Sequence, residues 1–256
     1  SYAIGGIQVK FPFQTDELCL TAFPSTEERR EKMERILEPY RNRFLRIDLQ
    51  LEPDSNLCRT FLDKIDFFQL KAALLPALRA EIEAIACRGK PEPLYAFVLG
   101  VSPAHESVAV FWNTAKSWSA REEYYASTGH TSHPSTKYNG PDFRCEPLTQ
   151  TQAVWEPVWE VLGNYDQICG EFYKLTGGGG LFYQNYENRF RATAVHALRE
   201  VASEFSRIAR TDDFVFYVQD YVGNGDDLFL MLETVSEERL RKLMPWLFPT
   251  RANIAE

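Results

Sequence analysis

The sequence is poor in the residues that build metal centres and disulfide frameworks. It has 5 cysteines and 4 histidines in 256 residues, and no Cys-x-x-Cys pair. The cysteines, at positions 19, 58, 87, 145 and 169, are odd in number and widely spaced. That pattern argues against a disulfide scaffold and a zinc knuckle, and fits reduced thiols in a cytoplasm. No apolar run approaches the roughly 20 residues that a membrane helix needs. The opening Ser1-Tyr-Ala-Ile-Gly-Gly lacks the basic run and apolar core of a secretion signal. A cytoplasmic chain without a membrane partner is therefore expected. Basic residues are outnumbered, 28 against 36 acidic, for a net charge of −8. Such a field repels phosphate backbones and disfavours nucleic acid, while favouring basic partners; its plainest role is solubility.

Several motifs fail on one missing residue. The run Gly177–Gly180 precedes a helical pattern, as a phosphate-binding loop would, but no Gly-Lys-Ser/Thr follows. Phe182 stands where the last glycine of Gly-x-Gly-x-x-Gly should be. A helix-to-helix connector is the simpler reading. His130 and His133 lie near Pro134 with Cys145 downstream, short of the three or four convergent ligands of a metal site. His105 and His196 read as surface residues. Asp220-Tyr-Val-Gly-Asn-Gly-Asp-Asp227 departs from a calcium loop, with Val222 at an oxygen-ligand position and Met231 where the closing Glu belongs. In Trp155-Glu-Pro-Val-Trp-Glu160 both indoles fall on one helical face, and core packing with solvent-facing glutamates explains them better than acid–base catalysis. No catalytic residue, cofactor or metal is assigned.

What is present is a large core. Apolar residues make up 45% and aromatics 14%, ample burial for a folded chain. Alternation at Leu18–Ala22 and Leu45–Leu51 predicts two strands. Between them a capping box at Ser25–Glu28 leads a stripe of Met33, Ile36, Leu37, Tyr40 and Phe44, predicting a helix. This strand–helix–strand unit occupies 1–55, either as a subdomain or as part of the main sheet. Glu52–Asn56 marks a boundary, and 56–256 is the main domain.

Within that domain Phe61 to Ile85 predicts a long amphipathic helical region, kinked or divided at Pro76. Leu94–Val101 and Ser107–Asn113 predict strands, the first nearly all apolar and suited to a central position. Thr114 caps a helix to Ser127, and 127–150 lacks periodicity, which marks it as a candidate functional loop. Helices are predicted near 152–175 and 186–209, then a hairpin of Phe214–Tyr221 and Leu228–Glu233, then a helix over Ser236–Leu243. The fold class is α+β, a mixed, largely antiparallel sheet flanked by several long helices.

Leu94-Tyr-Ala-Phe-Val-Leu99, Val110-Phe-Trp-Asn-Thr114, Trp155-Glu-Pro-Val-Trp159 and Phe214-Val-Phe-Tyr217 together resemble a bacterial family of domains of unknown function. The resemblance spans roughly 57–250 and leaves the N-terminal unit unmatched. Members of that family resemble, in gene context and composition, immunity proteins that accompany secreted toxins. The resemblance implies a non-catalytic binding protein whose partner is a cognate protein toxin. Candidate contact residues are Asp212, Asp213, Asp220, Asp226 and Asp227 for charge, and Tyr124, Tyr125, Tyr138 and Tyr221 as aromatic anchors. The alternative from a different class is an enzyme with a site near the 127–150 loop and Cys145.

Overall fold

The computed structural model describes residues 2–4, 7–10, 18–22, 27–49, 55–89, 92–129, 134–177, 181–222 and 227–248. In chain order the strands and α-helices are β1 (Tyr2–Ile4), β2 (Ile7–Lys10), β3 (Leu18–Ala22), α1 (Glu27–Leu37), β4 (Phe44–Leu49), α2 (Ser55–Leu62) and α3 (Phe67–Ala86). There follow β5 (Leu94–Ser102), β6 (Ser107–Thr114), α4 (Ala115–Ser127), α5 (Glu156–Thr176), α6 (Leu181–Glu200), β7 (Arg210–Asp220), α7 (Asp227–Leu232) and α8 (Glu237–Leu243). Short 3-10 turns join several of them. Contacts divide the chain into Ser1–Asp66 with Asn164–Arg189, and Phe67–Gly163 with Phe190–Glu256. One division falls at the start of α3, and the other two fall inside α5 and α6.

In the first unit β1-β2-β3-β4 form a sheet, with the first two pairings antiparallel and β3–β4 parallel. The predicted strand–helix–strand is therefore present, its parallel strands joined through α1. Strands β1 and β2 escape pattern reading because runs of three and four residues carry too few alternations. The predicted stripe of α1 is not uniformly covered, since Ile36 is 57% exposed. The capping box at Ser25 lies outside the described residues. The helical part of the unit has an aromatic core. Phe172 sits edge-on to Phe61 at 5.5 Å and stacks on Phe182 at 4.0 Å. The Tyr165 hydroxyl donates to the Asp66 carbonyl at 2.6 Å. Gly177 ends α5 with φ of 74° while its N–H reaches back to the Tyr173 carbonyl at 2.8 Å, the left-handed cap that glycine adopts without a Cβ clash.

The second unit is built on the sheet β6-β5-β7, antiparallel between β5 and β6 and parallel between β5 and β7. The fold class is thus α+β, as expected. Every residue of β5 is buried, because the strand is central and covered on both faces, which is why its sequence is an unbroken apolar run. Phe97 meets Phe205 at 4.9 Å, and Phe205 stacks on Phe216 at 4.9 Å. A separate cluster gathers Tyr95, Val98, Trp118, Tyr138, Tyr217 and Met231 with Val235, Leu240 and Met244. Strict alternation would put Tyr95 and Val98 on opposite faces; the register shift between Leu94 and Ala96 accounts for their company.

Three expectations need correction. Leu228–Glu233 is not a strand: α7 takes its place, with Leu228, Met231, Leu232 and Val235 packed on the core at helical spacing. Five consecutive apolar residues fit a strand or a helix, and only the neighbours decide. Pro76 does not divide the helical region, because α3 runs through it and the break lies at 63–66, between α2 and α3. Within the segment 127–150, which lacks periodicity, residues 134–150 take defined structure. They contain 3-10 turns at Pro134–Tyr138 and Gly140–Asp142, and Cys145 bridges to Trp112. Gln150 then covers the open edge of β6, accepting from the Val110 N–H at 3.3 Å and donating to the Val108 carbonyl at 3.1 Å.

Candidate functional site

Helix α4 starts where β6 ends, and the pair Asn113-Thr114 makes the transition. The Thr114 hydroxyl accepts from the Ser117 N–H at 3.1 Å, the cap predicted for it, and donates to Glu92 at 3.1 Å. The Asn113 amide donates to the Tyr95 hydroxyl at 3.0 Å, while its carbonyl oxygen accepts from the Thr114 N–H at 3.1 Å and from the Cys145 thiol at 3.4 Å. Of the whole helix only Trp118 is buried. A helix so little covered by its own fold needs other anchors. Arg121 provides one. Its guanidinium donates to the Tyr125 hydroxyl at 3.0 and 2.7 Å, to the Asp142 carbonyl, and to the Asp142 carboxylate at 3.2 Å. The opposite side is left outward: Glu122, Glu123 and Tyr124 are exposed, Tyr124 by 56%, and the rings of Tyr124 and Tyr125 lie 6.0 Å apart.

Beneath α4 the polar contacts continue inward. The Asn139 amide donates to Asp142 at 2.7 Å, and the Gln219 amide donates to the Asn139 oxygen at 2.8 Å and to Asp227 at 3.4 Å. Asp227 also accepts from the Asp220 N–H at 3.1 Å, and Asp220 binds the Arg191 guanidinium at 3.0 and 2.8 Å. A single relay, through side chains and the Asp220 backbone N–H, thus runs from Arg121 on α4 to Arg191 on α6. Gly140 lets its backbone enter the relay, donating to the Gln219 oxygen at 2.9 Å. A Cβ there would meet Phe111 at 3.0 Å and Gln219 and Val98 at 3.2 Å. Burial pushes the Asp227 carboxyl up to about 6, against the hydrogen bonds from Asp220 and Gln219. Every other acid of the relay faces a cation directly. The arrangement holds elements in register rather than presenting a reactive group.

The residues expected to contact a partner are dispersed. Asp212 is exposed near the start of β7, while Asp220 is buried at its end, about 25 Å away at the usual rise of a strand. Asp213 is turned onto Lys137 at 2.9 Å and the Tyr138 hydroxyl at 3.0 Å. Burial works against its charge, but the hydrogen bonds from Thr211, Lys137 and Tyr138 outweigh it and hold the carboxyl down at about 2. Tyr138 is buried, and the Tyr217 hydroxyl donates to its carbonyl. Tyr221 is half-buried, its hydroxyl 2.5 Å from Ser107. Asp227 belongs to the relay, and Asp226 lies outside the described residues. Of the four tyrosines Tyr124 is the exposed one, with the half-buried ring of Tyr125 beside it.

The paired tryptophans also differ from expectation. Trp155 is fully buried, but Trp159 is 37% exposed, stacked on it at 5.6 Å. His105 and His196 are exposed as read, and His130 and His133 lie outside the described residues. Burial raises the Cys145 thiol above its usual range, which favours the neutral thiol over a nucleophilic thiolate. Among the described residues no three or more His, Cys, Asp or Glu side chains are grouped to hold a metal ion, and no helix is long and apolar enough to cross a membrane.

Sequence reasoning passed over Glu81, which is fully buried in α3. Its carboxylate accepts from the Trp112 indole at 3.1 Å, the Leu148 and Thr149 N–H groups at 2.8 Å each, and the Thr149 hydroxyl at 2.7 Å. The signal was there: an acid three residues after Leu78 and one before Ile82, on the apolar side of the helix.

No curated protein and no solved structure is significantly similar to the chain. Residues 74–238, more than half of the chain, match the family described as a domain of unknown function (DUF4303), and the chain belongs to that family.

Proposed function

We propose that this chain is a non-catalytic cytoplasmic binding protein, an immunity protein that neutralises a secreted bacterial toxin by direct complex formation. The observation that carries this reading is the tyrosine pair on α4, with Tyr124 exposed beside Glu122 and Glu123 and the half-buried Tyr125 next to it, its hydroxyl held by Arg121. Tyrosine contributes a large contact area with few rotatable bonds, and an anchor already fixed loses less entropy on binding. The flanking glutamates and a net charge of −8 speed encounter with a basic toxin domain. The strand, Asn-Thr and paired-Trp motifs resemble a family of domains of unknown function whose members resemble toxin-associated immunity proteins, and that resemblance supports the same reading.

The test is co-expression with any toxin-like protein that proves to be encoded beside the gene. Protection of the host cells and a 1:1 complex in size-exclusion chromatography are expected. Cells that die as readily with the chain as without it, and two proteins that elute separately, would refute the proposal.

A further inference from the structure

Strand β7 is an edge of its sheet, and a cation from α8 binds two carbonyls of that strand. Arg239, on α8, donates through Nη2 to the carbonyls of Asp212 at 2.7 Å and Phe214 at 2.9 Å. Next to it a cleft of ≈ 580 Å³ opens between β7 and the Thr234–Ser236 turn, lined by Arg210, Arg239, Thr211, Thr234, Ser236 and Asp212 among others. That volume falls within the usual range of small-molecule sites, roughly 300–1,000 Å³.

The charge of the cleft runs against that of the molecule. In a chain of net charge −8 it holds two guanidinium groups and one carboxylate, the exposed Asp212. Among the described residues neither arginine has a carboxylate opposite it. Arg239 bonds to carbonyls, and Arg210 lies over the Phe214 ring with its carbon 5.4 Å from the centroid. Stacking holds a guanidinium in place and leaves its in-plane donors available. The Arg239 Nε–H is buried and has no acceptor among the described residues, a donor that carries a desolvation cost until an oxygen meets it. Two cations and an unmet donor face one space, bordered by Thr211, Thr234 and Ser236, whose hydroxyls already bond to the Leu94 carbonyl, the Met231 carbonyl and the Arg239 backbone N–H.

We infer that this cleft binds a small ligand through an oxyanion, a carboxylate or a phosphate, with Arg210 as the contacting cation and Arg239 as the fixed charge behind it. Asp212, at the rim, opposes the anion and limits its affinity.

The experiment titrates the full chain with inorganic phosphate, and separately with acetate, at constant ionic strength set by chloride. Arginine Nε–H and backbone signals are followed by heteronuclear NMR. Saturable shifts are expected at Arg239, Thr211 and Thr234, and the stronger of the two arms identifies the class of oxyanion. Arg210→Gln, whose side chain makes no hydrogen bond among the described residues, should weaken binding about tenfold or more. Asp212→Asn should tighten it about twofold or more by removing the opposing charge. Shifts that never saturate in either arm, or an affinity unchanged in both variants, would overturn the inference.

Discussion

Glu81 and Trp112 meet in the interior, the indole N–H of one donating to the carboxylate of the other at 3.1 Å. The same carboxylate ties down Leu148 and Thr149, and Thr149 in turn accepts from the Trp155 indole at 3.1 Å. Helix α3, strand β6 and the segment leading into α5 are thus held through one charged group. Replacing it with Ala leaves several buried donors without an acceptor, which typically costs about 3–5 kcal/mol. Glu81→Ala should lower the urea midpoint accordingly. Glu81→Gln, which keeps one acceptor oxygen, should lose less, and hydrogen exchange at Leu148 and Thr149 should accelerate in both. Exchange rates unchanged at those two amides would show that the segment is held by something else.

Asp227 makes stability depend on pH in an unusual direction. Its carboxyl is raised from an ordinary value of 3.8 to about 6 in the folded chain, by burial first and by the Asp220 charge as well. Between these values the folded state holds a proton that the unfolded state has lost. The contribution of this group is therefore full below about pH 4 and falls as pH rises through about 6, by roughly 2–3 kcal/mol in all. Asp227→Asn should flatten that part of the stability profile, and above pH 7 the variant should match or exceed the parent. Parallel profiles for parent and variant across pH 4–7 would contradict it.

Gly140 sits where a methyl group does not fit. Phe111 at 3.0 Å and Val98 and Gln219 at 3.2 Å from the position of a Cβ leave only small displacements. Gly140→Ala should cost about 1–3 kcal/mol by overpacking and by pushing the backbone away from Gln219. Thermal unfolding measures the loss. A second comparison, Gln219→Ala in each background, should show coupling between the two positions, because they share a hydrogen bond.

Tyr124 and Arg121 separate surface from support. Tyr124→Ala removes an exposed ring and should leave the melting temperature within about a degree or two. It should weaken the toxin complex about tenfold or more if the ring is a binding anchor. Arg121→Gln should lower both stability and affinity, since Tyr125 and Asp142 lose the same partner. Calorimetry on the complex and the free chain distinguishes the two patterns, and equal affinity for Tyr124→Ala would move the interface elsewhere on the molecule.

Much of the architecture is written in local pattern. The continuous apolar run of β5 announced a central strand, Thr114 announced the start of α4, and the helix predicted over 186–209 is present as α6 up to Glu200, with a 3-10 segment over Ala202–Arg207 in place of its last turns. Each depends on periodicity or on a side chain reaching a backbone group a few residues away, and such information is local by nature. The short run Leu228–Leu232 shows where that information ends, since its apolar residues satisfy either a strand or a helix until Tyr217 and Val235 are placed around them.

The relay from Arg121 to Arg191 was not legible at all. Asn139 and Gln219 are eighty residues apart in sequence and 2.8 Å apart in space, and an acid read as part of a charged surface became an internal partner once Arg191 faced it. By itself the sequence determined strands β3 to β7, most of the helices and the absence of complete catalytic and nucleotide-binding motifs, but not β1, β2 or α7. Only the tertiary structure decided which polar groups are internal and which are presented, because burial and pairing are properties of the packed neighbours and not of the residue.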